Sequence, residues 1–378
     1  MNQEGRWNLP PFACAIGAGF FRRLNAQMKQ TNRLLIDKLH QTHTLSRDEW
    51  IHLITNRTTE DASYLFALSR EVRHHHYGHS VYIRGLIEFT NYCKNDCYYC
   101  GIQKSNRNVY RYRLTEEEIL SCCREGYSLG FRTFVLQGGE DGWFTDDRMV
   151  HLISQIKDLW PDCAVTLSIG EKAHHSYQSF FDAGADRYLL RHETFDAGHY
   201  ARLHPACLSS SSRQACLWDL KAIGYQVGTG FMVGSPFQSV ENLADDMLFI
   251  KKLNPHMVGI GPFIPHRDTV FAKEPAGTLE LTLFMLGLLR LMLPKVLLPA
   301  TTALGTIQEN GRELGILAGA NVVMPNLSPK THRKDYSLYD NKLSDGEEAA
   351  EGKEKLEKRM EAVGYHILTH RGDSLNIS

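Results

Sequence analysis

No apolar run in this 378-residue sequence approaches the roughly 20 residues that cross a bilayer. The stretch PFACAIGAGFF at 11–21 is too short, and its basic pair, Arg22 and Arg23, follows it, the wrong order for a secretory signal. An excess of one charge is missing as well: 42 Lys and Arg stand against 43 Asp and Glu, a formal net charge of −1. No overall basic field draws the chain to nucleic acid or to an anionic membrane, so the expected ligand is small. A disulfide framework is absent too. The 9 cysteines are odd in number, scattered, and none follows Cys216. Such a set in a long chain reads better as a metal site in a reducing, cytoplasmic setting. With 43% hydrophobic and 22% charged residues the composition is that of a globular protein, which excludes disorder, collagen and coiled coil.

Residues 1–30 read as a flexible N-terminal extension and 31–80 as two or three helices, with Leu34, Leu35, Leu39, Leu53 and Ile54 on apolar faces. From 81 the pattern alternates. The runs VYIRGLIEFTN (81–91), TFVLQGG (133–139), AVTLSIG (164–170), RYLLRHET (187–194), QVGTGFMVG (226–234), MVGIGPFIP (257–265), LLPATT (297–302) and NVVMPN (321–326) read as strands between helices. The first intervening helix, near 115–129, opens with a capping box, Thr115 with Glu118. Short strands rich in Val, Ile and Leu predict an α/β fold with a helix-covered parallel sheet, and eight repeats over 81–330 suit a closed (β/α)8 TIM-type barrel. Residues 331–378 add a polar loop, a highly charged, solvated C-terminal helix and a frayed tail. Barrel chemistry sits at the carboxyl ends of strands. Those ends carry Thr90 and Asn91, Gln137 to Glu140, Ser168, Arg191 to Thr194, Met232, His266, Thr301 and Thr302, and Asn326.

Cys93, Cys97 and Cys100 form C-x3-C-x2-C directly after the first strand, a spacing that folds three thiolates around one metal centre. A cubane 4Fe-4S cluster normally takes four thiolates, so three leave one iron open to a substrate or cofactor. Structural zinc wants four ligands, and no nearby Cys or His completes a set. The pattern resembles the signature of the radical S-adenosylmethionine superfamily. That resemblance implies an open iron chelated by the amino and carboxylate groups of S-adenosylmethionine. One-electron reduction then yields methionine and a 5′-deoxyadenosyl radical. It also implies that Tyr99 covers the adenine or shields the cluster, and that Gly138, Gly139 and Glu140 meet the methionine amino group largely through backbone groups.

Longer runs are more specific: RGLIEFTNYCKNDCYYCGI (84–102), FVLQGGED (134–141), TLSIGE (166–171), DRYLLRHET (186–194), MVGIGPFIPH (257–266), PATTALGTI (299–307) and GANVVMPNLSP (319–329). Over about 31–363 the chain resembles the HydE family of radical S-adenosylmethionine maturases of FeFe-hydrogenase. By position, the family's cofactor contacts fall on Ser168, Glu193 and Arg213, where a carboxylate meets an ammonium or ribose and a guanidinium pairs with a carboxylate. Without the resemblance Arg213 reads as a surface residue. The resemblance implies a substrate pocket deeper in the barrel, lined by Arg191, Met232, Thr301, Thr302 and Tyr336 or Tyr339. The implied reaction is attack on the sulfur of a cysteine-bound Fe(CO)2CN synthon supplied by HydG, an anion that suits Arg191. A HydF scaffold and a low-potential ferredoxin-type reductant are the other implied partners.

Many family members carry three further cysteines near the C terminus. Here Ser344 stands about where the first would be, so a single cluster per chain is expected. Two neighbouring radical enzymes share barrel and cluster: methylornithine synthase, acting on lysine, and biotin synthase. RGLIEF, RHET and GPFIPH follow HydE more closely than the first, and the second-cluster ligands of the biotin enzyme find no place in this barrel. A noncatalytic iron–sulfur carrier would need neither Glu140 nor Arg213. Among weaker signals, His74, His75, His76 and His79 read as a polar helix end. Gly228-x-Gly230-x-x-x-Gly234 departs from the dinucleotide fingerprint and reads as close barrel packing. Cys122 and Cys123 sit on a helix, one expected buried and one partly exposed.

Overall fold

Eight parallel strand positions follow one another around a closed barrel in a computed structural model, which describes residues 30–343 and 349–376. All but the last residue of the extension expected at 1–30, and Ser344, lie outside the described residues. Strand β1 has two pieces, Ser80–Ile83 and Gly85–Thr90; β2 is Thr133–Gly138, β3 Ala164–Ser168 and β4 Ala185–Leu189. Strand β5 comprises Gln226–Thr229 and Met232–Val233, β6 Met257–Val258 and Gly261–Pro262, β7 spans 297–299, and β8 is Val322–Val323.

The second piece of β1 and the strands through β6 form one parallel sheet. Closure comes from bridges Met257 to Leu297 and Pro299 to Val322, then from β8 pairing with Tyr82 and Ile83, and from Asn326 bridging to Leu86. The seventh position pairs only through isolated bridges, and Pro299 within it has no N–H to donate. The run at 81–91, expected as one strand, divides at Arg84, because its halves have different neighbours. Several expected strands end early, β4 at Leu189 instead of 194, leaving the polar strand-end residues in loops where their side chains are free to converge.

Helices cover the barrel. Thr115 and Glu118 make the expected capping box before Glu116–Ser128, and Ser46 with Glu49 and Thr58 with Asp61 do the same for Arg47–Thr55 and Thr59–Tyr77. The Leu279–Met292 helix is apolar all round and therefore needs burial on every face. The N-terminal helices supply the outer layer, with Ser69 Oγ donating to the Gly287 carbonyl at 3.0 Å. Among the described residues, no helix is long and apolar enough to cross a membrane.

Three further expectations are corrected. Cys122 and Cys123 are both buried, because their helix lies against β1 with its neighbours closing over both thiols. The tail is not frayed: His366–Leu368 forms β9, parallel to Ser80–Tyr82, and the next residues plug the amino end of the barrel. Arg187, 3% exposed, donates to Asp373 Oδ1 at 2.6 Å, to the Arg371 carbonyl at 2.7 Å and to Thr133 Oγ1 at 2.9 Å. A buried guanidinium demands such partners, and the tail brings them. The charged helix, Ala349–Ala362, also has a buried face, with Leu356 and Met360 inside.

Burial alone would raise the Asp373 carboxyl pKa, but bonds from Gln226, Arg187 and Arg371 outweigh it and hold the pKa well down. The stabilisation is therefore full above the ordinary carboxylate range near ~4 and is lost as pH falls below it. Asp373→Asn is expected to cost about 2 kcal/mol at neutral pH, because Arg187 keeps its other partners. In thermal melts the difference from the parent should shrink as pH drops below about 4.

Candidate active site

The loop after β1 has little regular structure, so its carbonyls need other partners. Arg111 supplies them, donating to the carbonyls of Asn91, Ile102 (2.9 Å), Gln103 (2.6 Å) and Asn106 (3.2 Å). Backbone bonds anchor the rest: Lys94 N to the Glu140 carbonyl at 3.0 Å, Tyr98 N to Leu203 at 3.0 Å and Gly101 N to Leu338 at 2.9 Å. Gly139 lets this loop sit against the end of β2. A Cβ there would overlap the Tyr92 carbonyl and come within 2.8 Å of Cys93 Cβ. Gly139→Ala is therefore expected to push the cysteine loop outward, and iron analysis after anaerobic reconstitution should show a cluster content several-fold below the parent's.

Cys93, Cys97 and Cys100 are free thiols facing one cavity of 330 Å³ at the carboxyl ends of the strands. Burial, then the neighbouring Cys93 thiol, pushes Cys100 up to about 12. Cys97 rises well above its ordinary value and Cys93 also rises, burial being the chief cause in both. Bound metal is what deprotonates thiols held this way. Among the described residues, no three Cys, His, Asp or Glu side chains converge tightly enough for a single ion. A cubane requires no such convergence, since each thiolate binds a different iron.

The structure places the residues assigned to cofactor and substrate on the same cavity: Tyr99, Gly138, Gly139, Glu140, Ser168, Arg191, Glu193, Arg213, Met232, Thr301, Thr302, Tyr336 and Tyr339; of the other strand-end residues, Thr90, Asn91, His192, Thr194, His266 and Asn326 do not line it. Arg213 is not a surface residue. From helix Ser210–Ile223 it reaches inward, with its Nε donating to the Arg191 carbonyl at 2.6 Å and its Nη1 to Glu171 Oε1 at 3.0 Å. Burial opposes its charge, but Glu193, Tyr200, Tyr99 and Glu171 overcome that and raise its pKa. Glu140 Oε1 accepts from the Glu171 N–H at 3.0 Å, and Lys94 Nζ lies 3.1 Å from its Oε2. Gly170, with φ +77°, admits the Glu140 side chain, which any Cβ there would strike.

Glu193 itself has φ +65°, a costly conformation for a non-glycine residue. Its neighbour His192 holds it in place, fully buried between Thr229 Oγ1 (2.9 Å) and Asp246 Oδ1 (3.3 Å). Tyr99 O–H donates to His204 Nε2 at 3.2 Å, because His204 Nδ1–H is committed to the Tyr200 carbonyl at 3.0 Å. Burial drives the His204 pKa down to about 3, which keeps it a neutral acceptor. On the far side, Lys342 pairs with the buried Glu88 and donates to the Tyr336 carbonyl at 2.9 Å, fixing the segment that carries Tyr336 and Tyr339.

Several buried polar atoms here have no hydrogen-bond partner among the described residues: Arg191 Nε and Nη2, Glu193 Oε2 and Thr301 Oγ1. Arg191 Nη2 lies 3.2 Å from Glu193 Oε2, close enough to attract but outside hydrogen-bond geometry. Stranded polar atoms of this kind are costly unless a ligand meets them. The cavity thus offers three thiols at one wall, a flanking mixture of carboxylate and guanidinium, and unsatisfied donors and acceptors. That donor set fits a cluster with a zwitterionic cofactor beside it. Sequence reasoning missed Arg111, Glu171 and His204. Only Glu171 lies in a recognised run, TLSIGE.

The sequence profile of the Radical SAM superfamily matches residues 87–250, spanning β1 to the helix after β5. Barrel, cysteine loop and profile together define a radical S-adenosylmethionine enzyme. The [FeFe] hydrogenase maturase subunit HydE of Thermotoga maritima is 46% identical over 279 residues, 74% of this chain and 79% of that protein. This chain belongs to the HydE family. The 3-methylornithine synthase of Methanosarcina acetivorans is 28% identical, covering 87% of this chain and 92% of its own length. The crystal structure of methylornithine synthase (PylB) superposes with a TM-score of 0.77 at 27% identity, over 88% of this chain and 97% of that one.

Proposed function

We propose that this chain is a hydrogenase maturase that cleaves S-adenosylmethionine reductively and directs the radical onto an anionic, cysteine-bound Fe(CO)2CN synthon. The observation that carries the reading is the single cavity shared by the three thiols, the Glu140–Glu193–Arg213 group and the stranded atoms of Arg191 and Thr301. When bound, a three-thiolate 4Fe-4S cluster with S-adenosylmethionine supplies one-electron cleavage and an adenosyl radical. Cys93, Cys97 and Cys100 hold the cluster, one per chain. Arg213 is set to take the methionine carboxylate, and Glu140 with the backbone at Gly138 and Gly139 the amino group. Glu193 and Ser168 orient the remainder, and Tyr99 covers the adenine. Arg191, Thr301 and Thr302 hold the anionic synthon, with Met232, Tyr336 and Tyr339 excluding water around it.

HydG as supplier, a HydF scaffold as recipient and a low-potential ferredoxin-type donor are the partners this reading requires, in a cytoplasmic and anaerobic setting. The test is anaerobic chromatography of 5′-deoxyadenosine from reconstituted protein with reductant, beside the HydG-made synthon and beside lysine. Enhancement by the synthon alone is expected. Enhancement by lysine alone would move the chain to the methylornithine branch, and no cofactor cleavage at all would leave an iron–sulfur carrier.

A further inference from the structure

Cys93 lines two hollows. One is the interior cavity; the other is an outward pocket of 280 Å³ that it shares with Tyr92, Lys104, Asn106, Arg107, Val109 and Arg111. Among the described residues no other lines both. The charged side chains of the outer pocket are Lys104, Arg107 and Arg111, all cationic, with no carboxylate among the lining residues. Lys104 and Arg107 are exposed, and among the described residues neither has an ion-pair partner. The loop holds them in fixed positions: Lys104 N donates to the Asn95 carbonyl at 2.9 Å, Ser105 N to Asp96 Oδ1 at 2.7 Å, and Arg111 clasps the carbonyls beneath. Beside Val109 and Arg111 in the chain stands Tyr110, a large amphipathic ring left 71% exposed by the described residues.

We infer that this face docks an acidic one-electron carrier protein, which passes its electron to the cluster by way of Cys93. The inference rests on the reading of Cys93 as a cluster ligand. The interior cavity is the one read as the cofactor and substrate site, so the outer pocket gives a carrier a separate approach to Cys93. A net charge of −1 gives the whole chain no pull on an acidic partner, so attraction must come from a local patch. The cations of the outer pocket meet that need by speeding encounter and setting orientation, and the exposed Tyr110, next in the chain to the lining residues Val109 and Arg111, is available as an anchor. In the transfer the carrier loses one electron and the cluster gains one; no bond is made or broken.

The test uses the full reconstituted chain and, as probe, a bacterial ferredoxin with two 4Fe-4S clusters. Its Kd is measured by calorimetry at low and moderate salt against the parent and the double variant Lys104→Glu, Arg107→Glu. Both side chains lie outside the interior cavity, so cofactor cleavage driven by dithionite should be unchanged and reports intact folding. The double reversal is expected to weaken ferredoxin binding roughly tenfold or more and to flatten its salt dependence. Cluster bleaching by reduced ferredoxin in stopped flow should slow by a similar factor. Equal ferredoxin affinity for parent and variant would overturn the inference. So would a parent pocket that takes inorganic phosphate while ferredoxin binding ignores the substitutions. Binding is read separately from cleavage: a parent that never cleaves S-adenosylmethionine counts against the radical reading, while the Kd comparison still decides the docking face.

Discussion

Replacing any one of Cys93, Cys97 or Cys100 by alanine is expected to abolish 5′-deoxyadenosine formation, a loss of at least ~100-fold, beyond the range typical of outer-shell changes at metal sites. Among the described residues no other thiol can substitute. Cys122, Cys123, Cys163 and Cys216 are buried elsewhere, Cys207 is exposed, and none of these lines the cavity. Removing one ligand leaves two thiols for three irons, and burial, which outweighs the pull of Arg213 on Cys97 and of Arg111 on Cys100, favours the protonated thiol where metal is not bound. Anaerobic chromatography of the nucleoside, with iron analysis of the same sample, checks this. A triple-alanine protein that still produced 5′-deoxyadenosine would refute the three-thiolate centre.

Arg213→Ala should be the next largest effect, with the cluster retained but S-adenosylmethionine binding weakened roughly 100-fold, as befits loss of a buried charged donor. The side chain is one of three cations beside Glu140, Glu171 and Glu193, with Lys94 and Arg191, and lies 3.0 Å from Glu171 and 3.9 Å from Glu140. Its removal leaves those carboxylates repelling one another and the incoming carboxylate of the cofactor. Arg213→Lys keeps the charge but cannot bond the Arg191 carbonyl and Glu171 together, so an intermediate loss of about tenfold is expected. Titration of the cofactor against the spectrum of the reduced protein gives both values. Unchanged affinity in the alanine variant would show that the guanidinium holds the protein, not the ligand.

Much of this site is legible in the sequence because its chemistry lies in short runs tied to strand ends. The cysteine spacing, the Gly138–Gly139–Glu140 turn and the Arg191–Thr194 run each follow a Val, Ile or Leu-rich strand, and barrel topology brings such ends together. What the sequence hides depends on direction and distance in space. A helical arginine such as Arg213 reads as solvated until its helix is seen to turn that face inward. Arg111 is invisible to motif reading because its task is to satisfy backbone carbonyls, which no motif records. The tail reads as frayed because it is polar, yet polarity is what the buried Arg187 requires of it. The break in β1 at Arg84 follows from neighbours far away in sequence, β8, β9 and β2. Apolar periodicity along 81–91 contains no trace of them.

The most direct single measurement is electron-nuclear double resonance on the reduced, reconstituted parent protein with S-adenosylmethionine carrying nitrogen-15 and oxygen-17 in its methionine part. If Cys93, Cys97 and Cys100 hold three irons and leave the fourth open to the cavity, both labels should couple to the cluster spin. Absence of both couplings, with a protein nitrogen or a fourth thiolate on that iron instead, would contradict a cluster built to receive the cofactor.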